Sequence, residues 1–256
     1  MLSTPPFGIL GILNSLLLLL APMITFQRVI RKRSTEKISG IPYVISLFNC
    51  LFSMWYSLPF VSPNNMLVTI IGASGTSIQA TYVLIFLIFA PSWKEKAKIS
   101  GILFLLFLIF STVALVSIFA LHGYKRMLFC GLVSAIVGIS MYGSPLTIMR
   151  LVIKTKSVEY MPLFLSIFAF TCSITWLVYG LLGADPFIYV PNVVGALLGL
   201  VQLILYAVYR DIKREVKKEA VDESVKMELE NPNEEKIADT QIPMQFFSHH
   251  NGQILN

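Results

Sequence analysis

Six polar side chains, Asn49, Ser53, Ser74, Gln79, Trp176 and Asn192, stand in the middle of stretches that are otherwise apolar. Amide, hydroxyl and indole groups placed there can exchange hydrogen bonds with a neutral, hydroxyl-bearing solute. An indole face can also cover the C–H face of such a solute and keep water out. Proton transfer is another matter, because no Asp, Glu, Lys, Arg or His lies mid-stretch. Of the 14 acidic residues, Glu36, Glu95, Glu159 and Asp185 occupy short polar connections and the other ten lie beyond Arg210. Ion-coupled carriers commonly keep an ionisable relay inside the membrane, so the pattern points to uncoupled passage of a neutral solute. There is no His/Cys ligand cluster, phosphate loop or nucleophile–base pair, which argues against a metal, a cofactor or an enzyme. Plainer readings stand beside these. Asn192 can simply hold two membrane helices together, and Trp176 can be packed away or face lipid.

The elements that must position these groups are membrane helices. The chain has 256 residues, 55% of them apolar and only 13% charged, a balance foreign to soluble domains. Seven stretches approach the roughly 20 residues that cross hydrocarbon: 7–27, 42–61, 67–90, 101–120, 128–149, 162–183 and 187–209. No positive charge precedes the first, so a cleaved signal peptide is not expected. Eighteen of the 20 basic residues fall in every second connection and the tail, hence on one side, and only Lys125 and Arg126 lie opposite. The positive-inside rule then places the N-terminus outside and the C-terminus in the cytosol. The net charge of +6 arises in loops that face anionic lipid, because the tail beyond Arg210 is itself acidic. Nucleic acid is not an expected partner. Cys50, Cys130 and Cys172 lie in or at the ends of apolar stretches and read as small packing groups.

The stretches repeat. From Pro22 the chain reads P-M-I-T-F-Q-R-V-I-R-K-R-S-T-E, and from Pro145 it reads P-L-T-I-M-R-L-V-I-K-T-K-S-V-E. A second proline follows each run, Pro42 and Pro162, and Gly72-A-S-Gly75 matches Asn192-V-V-Gly195 at an offset of 120 residues. Two three-helix units in the same orientation need one extra crossing, supplied by the proline-free stretch 101–120. The expected fold is therefore all-α and transmembrane, seven helices arranged 3+1+3 as two parallel triple-helix bundles. Residues 5–92 form the first repeat, 93–125 the linker helix with its loops, 126–209 the second repeat and 210–256 a disordered tail. Helical continuation is allowed for Arg210 to Lys218. Repeats of this kind point to transport at their interface. The paired prolines weaken the backbone ladder around one ring, where a gate would bend, although Pro42 and Pro162 also suit a helix start.

These motifs resemble the SWEET family of sugar transporters, in its plant form. The resemblance covers about residues 5–209 and is carried by A-P-M-I-T-F…R-K-R-S-T-E-K-I-S-G-I-P-Y, L-F-N-C-L…W-Y-S-L-P-F-V, M-Y-G-S-P-L-T-I-M-R-L-V-I-K-T-K-S-V-E-Y-M-P and D-P-F…P-N-V-V-G. It implies uniport of sugar by alternating access, with substrate contacts at Ser53, Trp176 and Asn192 and the family's second asparagine replaced by Gly72. Met141 and the bulk of Trp176 resemble the monosaccharide-type members, so a hexose such as glucose is expected first and sucrose second. The resemblance further implies an inner-gate proline tetrad (Pro22, Pro42, Pro145, Pro162), an outer gate at Tyr56, Tyr179 and Asp185, and required glycines at Gly131 and Gly180. Homo- or hetero-oligomers with family members and the plasma membrane are implied as well. Two departures stand out. Gly72 removes one side of an amide clamp, which an asparagine put back there is expected to restore. Ser57 replaces a common glycine.

A seven-helix receptor is the rival from another class, and a trafficking scaffold is a third. Very short loops and the internal repeat count against the receptor. The scaffold leaves Asn192 and the paired prolines unexplained.

Overall fold

The computed structural model describes residues 4–35, 38–158 and 161–230, with side chains from Pro5 through Arg210. All regular structure among them is helical: α1 Thr4–Leu20, α2 Met23–Lys32, α3 Ile41–Ser57, α4 Met66–Phe89, α5 Trp93–Leu115, α6 Gly123–Ser140, α7 Gly143–Thr155, α8 Leu163–Leu182 and α9 Pro186–Glu230. A π-helical turn, Val116–Ala120, continues α5. Six segments are long and apolar enough to cross a membrane, with α1–α2 and α6–α7 each forming one of them. The seventh crossing is α3, whose 17 residues span about 25 Å at 1.5 Å per residue, the short end of the crossing range.

The four prolines divide into two kinds. The first crossing breaks between α1 and α2, where Pro22 is the N-cap of α2. The fifth breaks at Met141 and Tyr142, where the ring of Pro145 would press on the carbonyl four residues back. Pro42 is the second residue of α3 and Pro162 the N-cap of α8, so those two start helices. The repeat reaches the backbone itself. α2 ends on Arg33 at φ 50° and α7 ends on Lys156 at φ 54°, equivalent basic residues in the same left-handed cap, where a cation also suits the negative end of the helix dipole.

Helix ends differ from the hydropathy pattern where charge begins. α5 starts at Trp93, eight residues before the apolar stretch, because the Ser92 hydroxyl accepts the Glu95 N–H (3.2 Å) and starts the helix within a charged turn. At its other end, Arg126 donates to the carbonyls of Leu121 (3.0 Å) and Phe60 (3.3 Å) and lies over the Phe60 ring. α9 runs on to Glu230, past Lys218 where helix was expected to end. Residues 231–256 of the expected tail lie outside the described residues. Contacts divide the chain after Tyr209.

Packing follows the repeat. In the first repeat α4 lies against both α3 and α1, and α5 docks on α3 and α4. Across the repeat boundary, α1 packs on α8 and α6 packs on α3. Since α1 and α6 are equivalent, as are α3 and α8, this is one contact made twice. Phe26, Val44, Leu47, Phe52, Tyr82 and Phe86 form a core inside the first repeat. A second core joins Tyr56, Val61 and Val68 of the first repeat to Cys130, Trp176, Tyr179 and Ile188 of the second.

Candidate functional site

The α1–α8 seam holds the buried Trp176. Its indole N–H donates to Ser15 Oγ at 2.9 Å, and Ser15 Oγ lies 3.3 Å from Cys172 Sγ. The ring presses on Gly11, where a Cβ would stand 2.8 Å from the indole, so only glycine lets α1 approach this closely. Asn14 reaches Thr175 Oγ1 at 3.4 Å in the same seam, and Tyr179 meets the indole edge-on at 5.3 Å between centroids. The tryptophan is thus oriented by a helix of the other repeat.

The equivalent α6–α3 seam carries different groups. An offset of 123 residues pairs Ser15 with Gly138, Cys172 with Asn49 and Trp176 with Ser53. Asn49 Oδ1 and Pro191 Cβ come within 3.6 and 3.7 Å of where a Gly138 Cβ would be, which brings α3, α6 and α9 together there. Neither the Asn49 side chain nor the Ser53 hydroxyl is hydrogen-bonded to a described residue; both residues are half-buried. In α9, the Asn192 side chain donates to the Ile188 carbonyl (2.7 Å), and the Tyr142 hydroxyl donates to the Pro191 carbonyl (3.0 Å). Gly195 clears the path of that tyrosine, for a Cβ would overlap its hydroxyl. Met141 is the half-buried C-cap of α6 in the adjoining break.

Gly72 and Trp176 do different things. A Cβ on Gly72 would lie 2.8 Å from Met54 Cβ and 2.9 Å from Met54 Cα, and one on Gly75 would lie 2.7 Å from Cys50 Sγ. These two glycines let α3 and α4 close on each other, as small residues do in membrane bundles. A side chain at position 72 would leave toward the α3 backbone, so the geometry does not favour the expectation that an asparagine there rebuilds an amide clamp. Ser74 does not take over either: its hydroxyl is bonded back to the Ile70 carbonyl at 2.9 Å. Gln79 lies on the buried face of α4 with no described partner for Oε1.

At the end of the bundle that carries Asp185 the two repeats are closed together. Asp185 Oδ2 accepts from the Tyr56 hydroxyl and from Asn65 Nδ2, both at 2.7 Å, while Oδ1 accepts the Phe187 N–H at 3.0 Å. The Tyr56 ring meets Phe187 edge-on, with centroids 5.7 Å apart. Tyr179 adds packing here but no hydrogen bond from its hydroxyl to a described residue. Gly131 makes room for the Phe187 ring, and Gly180 for the backbone of Tyr189. Ser57, equivalent to Gly180, fits because Thr69 stands where the second repeat has Tyr189. The Thr69 hydroxyl lies 2.7 Å from the Ser57 carbonyl oxygen and 2.9 Å from its Oγ.

Gly11, Ser15, Asn65 and Tyr142 were not picked out from the sequence. Asn65 was findable, since the same 120-residue offset that pairs Gly72 with Asn192 pairs Asn65 with Asp185. Ser15 and Gly11 carried no local signal.

A family profile described as "Sugar efflux transporter for intercellular exchange" matches residues 5–94 and again 128–214, once per repeat. A bidirectional sugar transporter of Sorghum bicolor, SWEET1a, is 58% identical over 207 residues, covering 81% of this chain and 77% of the relative. SWEET1 of Arabidopsis thaliana, also a bidirectional sugar transporter, is 57% identical over 203 residues, 79% of this chain and 82% of its own. The solved structure of a eukaryotic SWEET transporter superposes with a TM-score of 0.79 at 41% identity, over 82% of this chain and 97% of that one. Two profile matches on two helical repeats, with relatives of this identity across the membrane body, make the chain an integral membrane protein of the SWEET family of sugar transporters.

Proposed function

We propose that this chain carries hexose, glucose first, across a membrane in either direction by alternating access without ion coupling. The observation that carries the reading is the uncharged polar seam between the repeats, with Ser15, Trp176, Asn49, Ser53 and Asn192 at mid-depth and one end sealed by Asp185. Its relatives are named as bidirectional sugar transporters. Asn49 and Ser53 have hydrogen-bonding capacity left for sugar hydroxyls, and Asn192 keeps its amide oxygen free to accept. Trp176, held by Ser15 and Gly11, occupies volume that a disaccharide would need, which favours a monosaccharide over sucrose. Weak binding suits a carrier that must release what it takes, and about 1 mM corresponds to only about −4 kcal/mol.

The basic-loop count puts the Asp185 end outside and the C-terminus in the cytosol, so Tyr56, Tyr179 and Asp185 serve as the outer gate. The breaks at Pro22 and Pro145, with the helix starts at Pro42 and Pro162, form the inner ring that bends. Gly131 and Gly180 maintain the close packing the gate needs. The plasma membrane is the proposed location, with homo- or hetero-oligomers as the assembled form. Labelled glucose equilibrating into cells that display the chain supports this function. Absence of flux for every small sugar tried, despite surface delivery, refutes it.

A further inference from the structure

Asn65 and Asp185 are the residues immediately before α4 and α9, the third helices of the two repeats, at equivalent positions 120 residues apart. An asparagine at an N-cap normally turns its side-chain oxygen onto the free N–H groups of its own first turn. Asn65 does not: its side chain makes no cap hydrogen bond to α4. The amide nitrogen, buried with the rest of the residue, donates instead to Ser62 Oγ and across the repeat boundary to Asp185 Oδ2, each at 2.7 Å. Asp185 gives up nothing locally, since its other oxygen still caps α9 at the Phe187 N–H.

On the transport reading above, we infer that Asn65 is a fourth outer-gate residue, beside Tyr56, Tyr179 and Asp185, and that it exchanges partners during the cycle. With the outer end closed it bridges to Asp185. When the repeats part, that bond breaks and the side chain turns back to cap α4, so a new hydrogen bond offsets the lost one. The exchange makes both states nearly satisfied and keeps opening fast, in the manner of a two-state element biased by few contacts. Asn65 acts by positioning the gate and does not touch the sugar.

The test compares zero-trans entry and exit of labelled glucose in cells expressing the full chain. Asn65→Ser keeps an N-cap but is too short to reach Asp185. It is expected to favour the outward-open form, lowering KM for entry and raising KM for exit, so that their ratio moves by about fivefold. Asn65→Asp has the length of asparagine and caps equally well, yet faces Asp185 with like charge. With both carboxylates ionised, it should move the ratio further in the same direction, and the shift should grow as pH is raised and the proton that two adjacent carboxylates share is lost. A ratio unchanged in either variant, with Vmax falling equally both ways, overturns the inference and leaves Asn65 a purely structural residue. Absence of glucose flux in the unmodified chain would instead strike the transport reading.

Discussion

Ser15 of the first repeat and Trp176 of the second are joined by a hydrogen bond of 2.9 Å from the indole N–H to the serine hydroxyl. The bond crosses the boundary between the repeats and fixes the orientation of the bulkiest group in the seam. Losing it leaves a buried N–H without a partner, at a cost of about 1–3 kcal/mol. Ser15→Ala is therefore expected to raise the KM for hexose several-fold, with Ser15→Thr close to normal. Trp176→Ala should go further, cutting hexose transport by about tenfold or more while admitting disaccharide. Counterflow uptake across mono- and disaccharides measures both, and unchanged uptake of each sugar removes Trp176 from the pocket.

Gly11 sets the distance between α1 and that indole. A methyl group 2.8 Å from the ring must push the helix or the tryptophan aside, and overpacking of this kind costs about 1–3 kcal/mol. Gly11→Ala should lower transport more than stability, because the ring can yield by turning away from Ser15. Indole fluorescence and glucose uptake, compared in the same preparation, report the two effects separately.

Gly72→Asn is expected to harm rather than repair. Its Cβ would meet the Met54 backbone, and a backbone cannot step aside as a flexible side chain can. The variant should melt at lower temperature in detergent and bind sugar no more tightly than the parent. Tighter binding with unchanged melting would show that α3 and α4 separate at no cost, contrary to the packing described here.

Pro145→Ala removes the ring that presses on the carbonyl four residues earlier. The break at Met141 and Tyr142 should then close toward continuous helix, moving the Tyr142 hydroxyl off the Pro191 carbonyl. The expected outcome is slower transport with little change in hexose affinity. A fall in affinity alone would place Pro145 at the pocket and not at a hinge.

With no Asp, Glu, Lys, Arg or His among the described residues of the seam, collapse of the proton gradient should leave the initial rate of sugar uptake nearly intact. Loss of uptake in the presence of a protonophore would refute uncoupled transport.

Much of this architecture is legible in the chain because the bilayer leaves few choices. Each crossing must satisfy its backbone internally, so apolar length alone reveals a helix, and the repeated P-x-x-T/I…R/K-S-x-E runs expose the two-fold plan. The short α3 and the charged first turn of α5 were harder to bound, since hydropathy reports the hydrocarbon depth and not where hydrogen bonding starts. Trp176 and Asn192 announced themselves as polar or bulky groups in unusual places, whereas Asp185 was marked only by the family resemblance. Ser15, Gly11 and Asn65 did not. A serine, a glycine and an asparagine are ordinary in membrane helices and loops, and their importance comes from what another repeat brings against them. Position 72 shows the same limit from the other side: the one-dimensional pattern marks a missing amide, while the direction of its Cβ depends on how closely α3 approaches. Composition and periodicity thus determined the number of crossings, their pairing and the absence of charge. The direction in which each side chain points, and hence its partner, was decided only when the two repeats packed together.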